Sequence, residues 1–172
     1  MTARLDDYFA PVGRLTMAAA LLEEVTLRWA ALLSDDPVDE TRFKNLTRGL
    51  EVTLTMLSEL VKQRVSAVNQ QTVLDLIEKG RRLKDQRNES VHGVWGEMEH
   101  ADTGAFSHVA RSRYEKMRAT RSIKWDLSVP SIDDLKRLST ELHTVAHELN
   151  NRLADLWDID EGVQSWRRTN NI

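Results

Sequence analysis

A chain of 172 residues, 41% apolar and 30% charged, is one domain's worth of ordinary globular sequence, so a buried core is expected and dominant disorder is excluded. It contains no cysteine, which excludes disulfide scaffolds, thiolate-held zinc, iron–sulfur clusters and thiol catalysis and suits a reducing compartment. The net charge of -3 is unevenly spread: between Lys79 and Lys124 eleven Lys/Arg face six Asp/Glu, so a cationic region on an anionic body points to an anionic ligand.

The N-terminus reads Met1-Thr2-Ala3-Arg4 and then shows Asp6 and Asp7, without the apolar run of a signal peptide. No stretch approaches the ~18 apolar residues of a membrane span. A cytoplasmic protein with no membrane partner is expected. Pro11, Pro37 and Pro130 fall where long helical patterns begin or end, and glycine is sparse. From Val12 to Leu33, Leu15, Ala19, Leu22, Thr26, Trp29 and Leu33 recur at steps of four and three, which predicts a helix with one broad buried face. A second helix is predicted from Thr41 to Ser66 on Phe43, Leu46, Leu50, Leu54, Leu57, Val61 and Val65. If the Pro-containing link before it is a turn, it packs antiparallel to the first.

The third helix, Thr72 to His92, carries Leu76, Gly80, Leu83, Arg87 and Val91 on one stripe beside Val73 and Ile77. A core stripe that runs into a charged residue departs from pure packing and hints at a site. Beyond Gly93 the helical period is lost. Ile123, Trp125, Leu127 and Val129 alternate with Lys124, Asp126 and Ser128, which predicts a strand; the stretch from Ala105 to Tyr114 is its expected partner in a hairpin. Ser131 and Asp134 resemble a capping box, and Leu135, Leu138, Leu142, Val145, Leu149, Leu153 and Leu156 predict a last long helix ending near Trp157. The tail, 158–172, is polar apart from Val163 and Trp166 and reads as a short helix or a disordered segment. The predicted fold is therefore all-α, with 1–172 as a single domain. It is an antiparallel up-and-down helical bundle with a small β-hairpin between the third and last long helices, inside a basic insertion at 93–130.

Phosphate-binding glycine loops, nucleophile elbows and His-Glu-x-x-His zinc signatures are missing from the sequence. His143 and His147, four residues apart, put two imidazoles on one helix face. Two ligands do not close a coordination shell, and nothing specifies a third from Glu99, His100 or Asp102, so no metal and no cofactor are assigned and the pair reads as an exposed helix face. Arg87-Asn88-Glu89-Ser90-Val91-His92-Gly93 is more informative. At ~100° per residue Asn88 and His92 project within about 40° of each other and Arg87 about 140° from His92, so all three border one groove. Arginine is a permanently charged fork suited to phosphate, histidine exchanges a proton near neutral pH, and an amide orients either, a combination that suits phosphodiester chemistry. Gly93 fits the end of the helix. The packing alternative is that Arg87 forms a salt bridge, Asn88 bonds backbone and His92 fills the last turn.

This segment, at the end of a helix in a helical chain, resembles the R-x(4–6)-H motif of the HEPN superfamily, in which a polar residue usually follows the arginine. The motif covers Arg87 to His92; helix number, the amphipathic last helix and Val94-Trp95 extend the likeness loosely over residues 12–157. The resemblance implies a helical bundle that forms a homodimer with two motifs facing each other in a composite cleft. It also implies metal-independent endoribonuclease activity on an RNA substrate, leaving 2′,3′-cyclic phosphate and 5′-hydroxyl ends. On that reading His92 is the general acid or base, Arg87 stabilises charge on the phosphate and Asn88 orients them. Many members are toxins with an antitoxin or other regulatory protein, or antiviral-defence effectors. Where members paired with a nucleotidyltransferase antitoxin carry tyrosine two residues after the histidine, this chain has Val94. The basic residues Arg111, Arg113, Lys116 and Arg118, near Tyr114 and Trp125, are the expected RNA contacts, since phosphates need cations and aromatics stack on bases. The rival expectation is a non-catalytic dimeric module of the same fold that binds a protein partner or a nucleotide.

Overall fold

A computed structural model describes residues 5–34, 49–91, 94–99, 106–116, 123–126 and 130–170, with backbone alone at Leu5, in the strands and at Asn170. Five helices lie among these residues: α1 (Leu5–Leu32), α2 (Leu50–Arg64), α3 (Ala67–Val91), α4 (Ile132–Ile159) and α5 (Glu161–Asn170). None is long and apolar enough to cross a membrane. Pro11 lies inside α1 rather than at its start. Tyr8 and Pro11 continue the buried stripe of Leu15, Ala19 and Leu22 backward, and this burial offsets the backbone bond that proline cannot donate. The helix predicted from Thr41 is described only from Leu50, whose N-cap Gly49 has φ 114. That left-handed region suits glycine. Residues 35–48 lie outside the described residues.

The predicted stripes form the core. Leu15, Leu22, Trp29 and Leu33 of the first segment, Leu54, Leu57 and Val61 of α2, and every apolar position foreseen on α4 are buried. At the centre, a Cβ on Gly80 of α3 would meet Leu22 Cδ2 at 3.2 Å and sit 3.7 Å from both Leu54 and Val145, so the absent side chain lets four helices converge. Thr26 and Thr53, both fully buried, satisfy each other across α1 and α2 with hydroxyls 3.1 Å apart.

The bundle does not alternate up and down throughout. The C-terminal parts of α1, α2 and α4 gather at one end, where Trp29 meets Trp157, Trp157 meets Trp166 and Arg64 lies over Trp166. The start of α3 is there too, through Asn69 and Arg152. Thus α1, α2 and α4 run one way and α3 the other, and the expected antiparallel packing of the first two helices is corrected. The physical reason is that an apolar stripe fixes which face of a helix is buried and not the direction in which the helix runs.

Between α3 and α4 the backbone forms three antiparallel strands in the order β1 (Val94–Glu99), β2 (Phe106–Lys116) and β3 (Ile123–Asp126). A two-stranded hairpin is therefore not the arrangement. The long β2 is central, pairing through its first part with β1 (Gly96 opposite Ala110) and through its last part with β3 (Tyr114 opposite Trp125). The alternation in 123–129 marks β3 but carries no sign of β1. Leu127 to Val129, and the side chains expected to face the bundle, lie outside the described residues.

Ser131 caps α4 as its sequence predicts. Its Oγ accepts from Asp134 N at 3.0 Å and donates to Asp134 Oδ2 at 2.7 Å. Those bonds from Ser131, with Arg137, hold the Asp134 carboxyl below its ordinary range. Replacing Ser131 with Ala is expected to lower the thermal midpoint by about 2–4 °C, measured by circular dichroism. The tail is the short helix α5, docked through buried Val163 and Trp166. Its N-cap, Asp160, is 1% exposed. Asp160 Oδ1 accepts from Ser66 N at 2.9 Å and Val163 N at 3.1 Å, and Oδ2 from Asn69 Nδ2 at 2.8 Å and Ser66 Oγ at 2.5 Å. One carboxylate thus joins the α2–α3 corner to the α4–α5 corner.

Candidate functional site

Arg87 and Asn88 stand near the end of α3 and line a cleft of about 450 Å³ at the end of the bundle opposite Asp160. Its other walls are Thr16, Ala19, Ala20 and Glu23 of α1, Gly49 to Glu51 at the start of α2, and Lys84 one turn earlier on α3. The local cause is helical spacing. Leu83 turns inward to the core, so Lys84, Arg87 and Asn88, related by three and four residues, share the side that faces α1 and α2. The small side chains of Ala19 and Ala20 leave the space between. The N-cap Gly49 offers no side chain to the first turn of α2, and the positive end of that helix dipole borders the cleft.

The charges are ordered by two carboxylates. Glu51 receives Arg81 Nε at 2.9 Å and is in direct contact with Lys84 Nζ, which also meets Asp85 Oδ1 at 3.0 Å. The hydrogen bond from Lys84, opposed by partial burial and reinforced by Arg81, keeps the Glu51 carboxyl below its usual range. Burial works against charge on Lys84, but its bonds to Glu51 and Asp85 outweigh it and raise the ammonium pKa. This brace fixes the first turn of α2 to α3 and directs Lys84 toward carboxylates. Arg87 Nη1 donates to Asn88 Oδ1 at 3.1 Å, so the amide helps to hold the guanidinium at the cleft wall. Chemically, the site offers a forked cation oriented by an amide beside a helix N-terminus, a set suited to an oxyanion.

Arg87 and Asn88 are thus brought together, whereas His92 lies outside the described residues. Arg111, Arg113 and Lys116 fall on β2, opposite Trp95, Asp126 and Ile123, with their side chains outside the described set; Arg118 lies outside it altogether. Sequence reasoning missed Lys84, Glu51 and Glu23. Lys84 carried a signal, being three residues before Arg87 on the same face, but Glu51 is brought in from a helix 33 residues away and has none. On α4, His143 and His147 are both exposed, with Nε2 atoms 3.2 Å apart. Side chains of Glu99, His100 and Asp102 lie outside the described residues, and among the described ones no three His, Cys, Asp or Glu converge. The chain matches no protein-family model, no curated protein and no solved structure.

Proposed function

We propose that the chain is a metal-independent endoribonuclease of the HEPN type, acting as a two-fold homodimer in which two copies of the Arg87 to His92 segment face one cleft. The observation that carries this reading is the Arg87–Asn88 pair at the end of α3, lining an open cleft against the first turn of α2. His92 takes the proton of a ribose 2′-hydroxyl or returns one to the departing 5′-oxygen. The 2′-oxygen attacks the adjacent phosphorus, the bond to the 5′-oxygen breaks, and a 2′,3′-cyclic phosphate and a 5′-hydroxyl result. Arg87 stabilises the negative charge that accumulates on the non-bridging oxygens. The basic residues of the 93–130 region, Arg111, Arg113, Lys116 and Arg118, hold the strand on either side of the scissile phosphate. A toxin or defence effector restrained by a protein partner is the cellular role that fits this chemistry.

The test is purified protein with a mixed RNA pool, scored for 2′,3′-cyclic phosphate ends. Cleavage is expected to persist in excess EDTA, because every step is assigned to a side chain. It should fail on DNA and on RNA methylated at the scissile 2′-oxygen, where the nucleophile is absent. His92→Ala should lose about 100-fold or more of the rate. Equal products at equal rates from wild type and His92→Ala would assign the activity to a contaminant, and the non-catalytic interaction module would then take its place.

A further inference from the structure

The exposed face of α4 holds a second constellation that shares no residue with the cleft. His143 and His147 direct their Nε2 atoms at one another, 3.2 Å apart, with ring centroids separated by 4.4 Å and planes inclined at 56°. The residues between and around them, Leu142, Val145, Ala146 and Leu149, are fully buried. The helix is therefore anchored along this stretch, which holds the two histidine positions one turn apart on its exposed face. His143 also lines a groove between α1 and α4 with Arg14, Met17, Ser139 and Thr140.

We propose that His143 and His147 form a chelate for a late first-row divalent transition ion, of which Cu²⁺ is held most tightly and Ni²⁺ and Zn²⁺ less so. The bite fits. Two metal–nitrogen bonds of about 2.0–2.1 Å that end on nitrogens 3.2 Å apart enclose an angle of about 100°, between the ~90° of square or octahedral and the ~109° of tetrahedral coordination. Imidazole is the ligand type these ions prefer, whereas Mg²⁺ and Ca²⁺ prefer oxygen. Without an ion, one ring donates its Nε2 proton to the other. Binding uses both Nε2 lone pairs, so the ring that donates through Nε2 gives that proton to solvent and takes one on Nδ1 instead. Among the described residues no third His, Cys, Asp or Glu converges on the pair.

The full chain titrated calorimetrically with Cu²⁺, Ni²⁺, Zn²⁺ and Mg²⁺ tests this. The three transition ions are expected to bind saturably, in the order Cu²⁺ ahead of Ni²⁺ and Zn²⁺, and Mg²⁺ not at all. His143→Ala and His147→Ala should each weaken Cu²⁺ binding by about tenfold or more, with circular dichroism unchanged because both positions are exposed. Electron paramagnetic resonance of the Cu²⁺ complex should show two coupled imidazole nitrogens in the wild type and one in either variant. Failure of all three ions to bind would overturn the proposal. So would variants with wild-type affinity and spectrum, which would put the ion on His92, His100 or His108. RNA cleavage in EDTA is decided separately from either outcome.

Discussion

Arg87→Ala is expected to reduce RNA cleavage by about 100-fold or more while leaving the thermal midpoint nearly unchanged. The guanidinium keeps its charge at every accessible pH and presents donors in a plane that matches two phosphate oxygens. Its Nη1 is oriented by Asn88 at 3.1 Å, so loss of the amide should blunt alignment without removing charge. Asn88→Ala is accordingly expected to cost only about tenfold. Lys84 shares the cleft wall but is tied to Glu51 and Asp85, so it is not placed to substitute. Arg87→Lys should fall between, retaining charge and losing the fork. Initial rates of cyclic-phosphate formation at saturating RNA decide the matter. Wild-type rates from Arg87→Ala would remove this residue from the chemistry.

Asp160→Ala should be the most destabilising single change at the far end of the bundle, about 3–5 kcal/mol, or about 10 °C in thermal midpoint. Alanine removes the acceptor of two backbone N–H groups, a serine hydroxyl and an asparagine amide, all inside the α2–α3 and α4–α5 junction. Burial alone would raise the pKa of this carboxyl, but the bonds from Ser66, Asn69 and Val163 outweigh it and hold it below the ordinary value. A carboxyl with a lower pKa in the folded than in the unfolded chain stabilises fully above the unfolded value, near pH 4, and loses that contribution as pH falls through the folded one. Urea denaturation of the wild type at about pH 7 and about pH 3 should therefore show a loss that Asp160→Ala shows less of. Equal losses in both proteins would mean that acid sensitivity arises elsewhere. Gly162 lies beside the same junction, where an added Cβ would stand 2.5 Å from the Arg64 carbonyl oxygen. Only glycine fits that approach.

Periodicity reveals which face of a helix is buried, and it does so here for α1, α2 and α4, whose predicted stripes coincide with buried residues such as Leu15, Leu54 and Leu149. It does not encode direction. A stripe with steps of three and four reads the same whether the neighbouring helix runs up or down, so the parallel course of α1 and α2 was invisible. The cap at Ser131 was legible because donor and acceptor lie three residues apart. Asp160 offered the same local signal, an Asp before a turn of helix, but the polar tail around it obscured the burial of Val163 and Trp166. At the cleft, Arg87 and Asn88 could be singled out because a charged residue ended an apolar stripe. Glu51, which orders the charge around them, could not, since a contact across 33 residues leaves no period in the sequence.

The shared direction of α1, α2 and α4 bears on how the chain reaches its folded state. The α2–α3 pair is joined through Val65 and Ser66 alone and closes with almost no loop. The Thr26–Thr53 contact spans 27 residues and the Trp29–Asn150 contact 121, so the second carries about 1 kcal/mol more closure entropy than the first. Chain entropy therefore ranks the helical hairpin α2–α3 as the natural nucleus and the α1–α4 seam as the last to zip. Side chains on that seam, Trp29 among them, govern how fast the molecule opens rather than how fast it assembles.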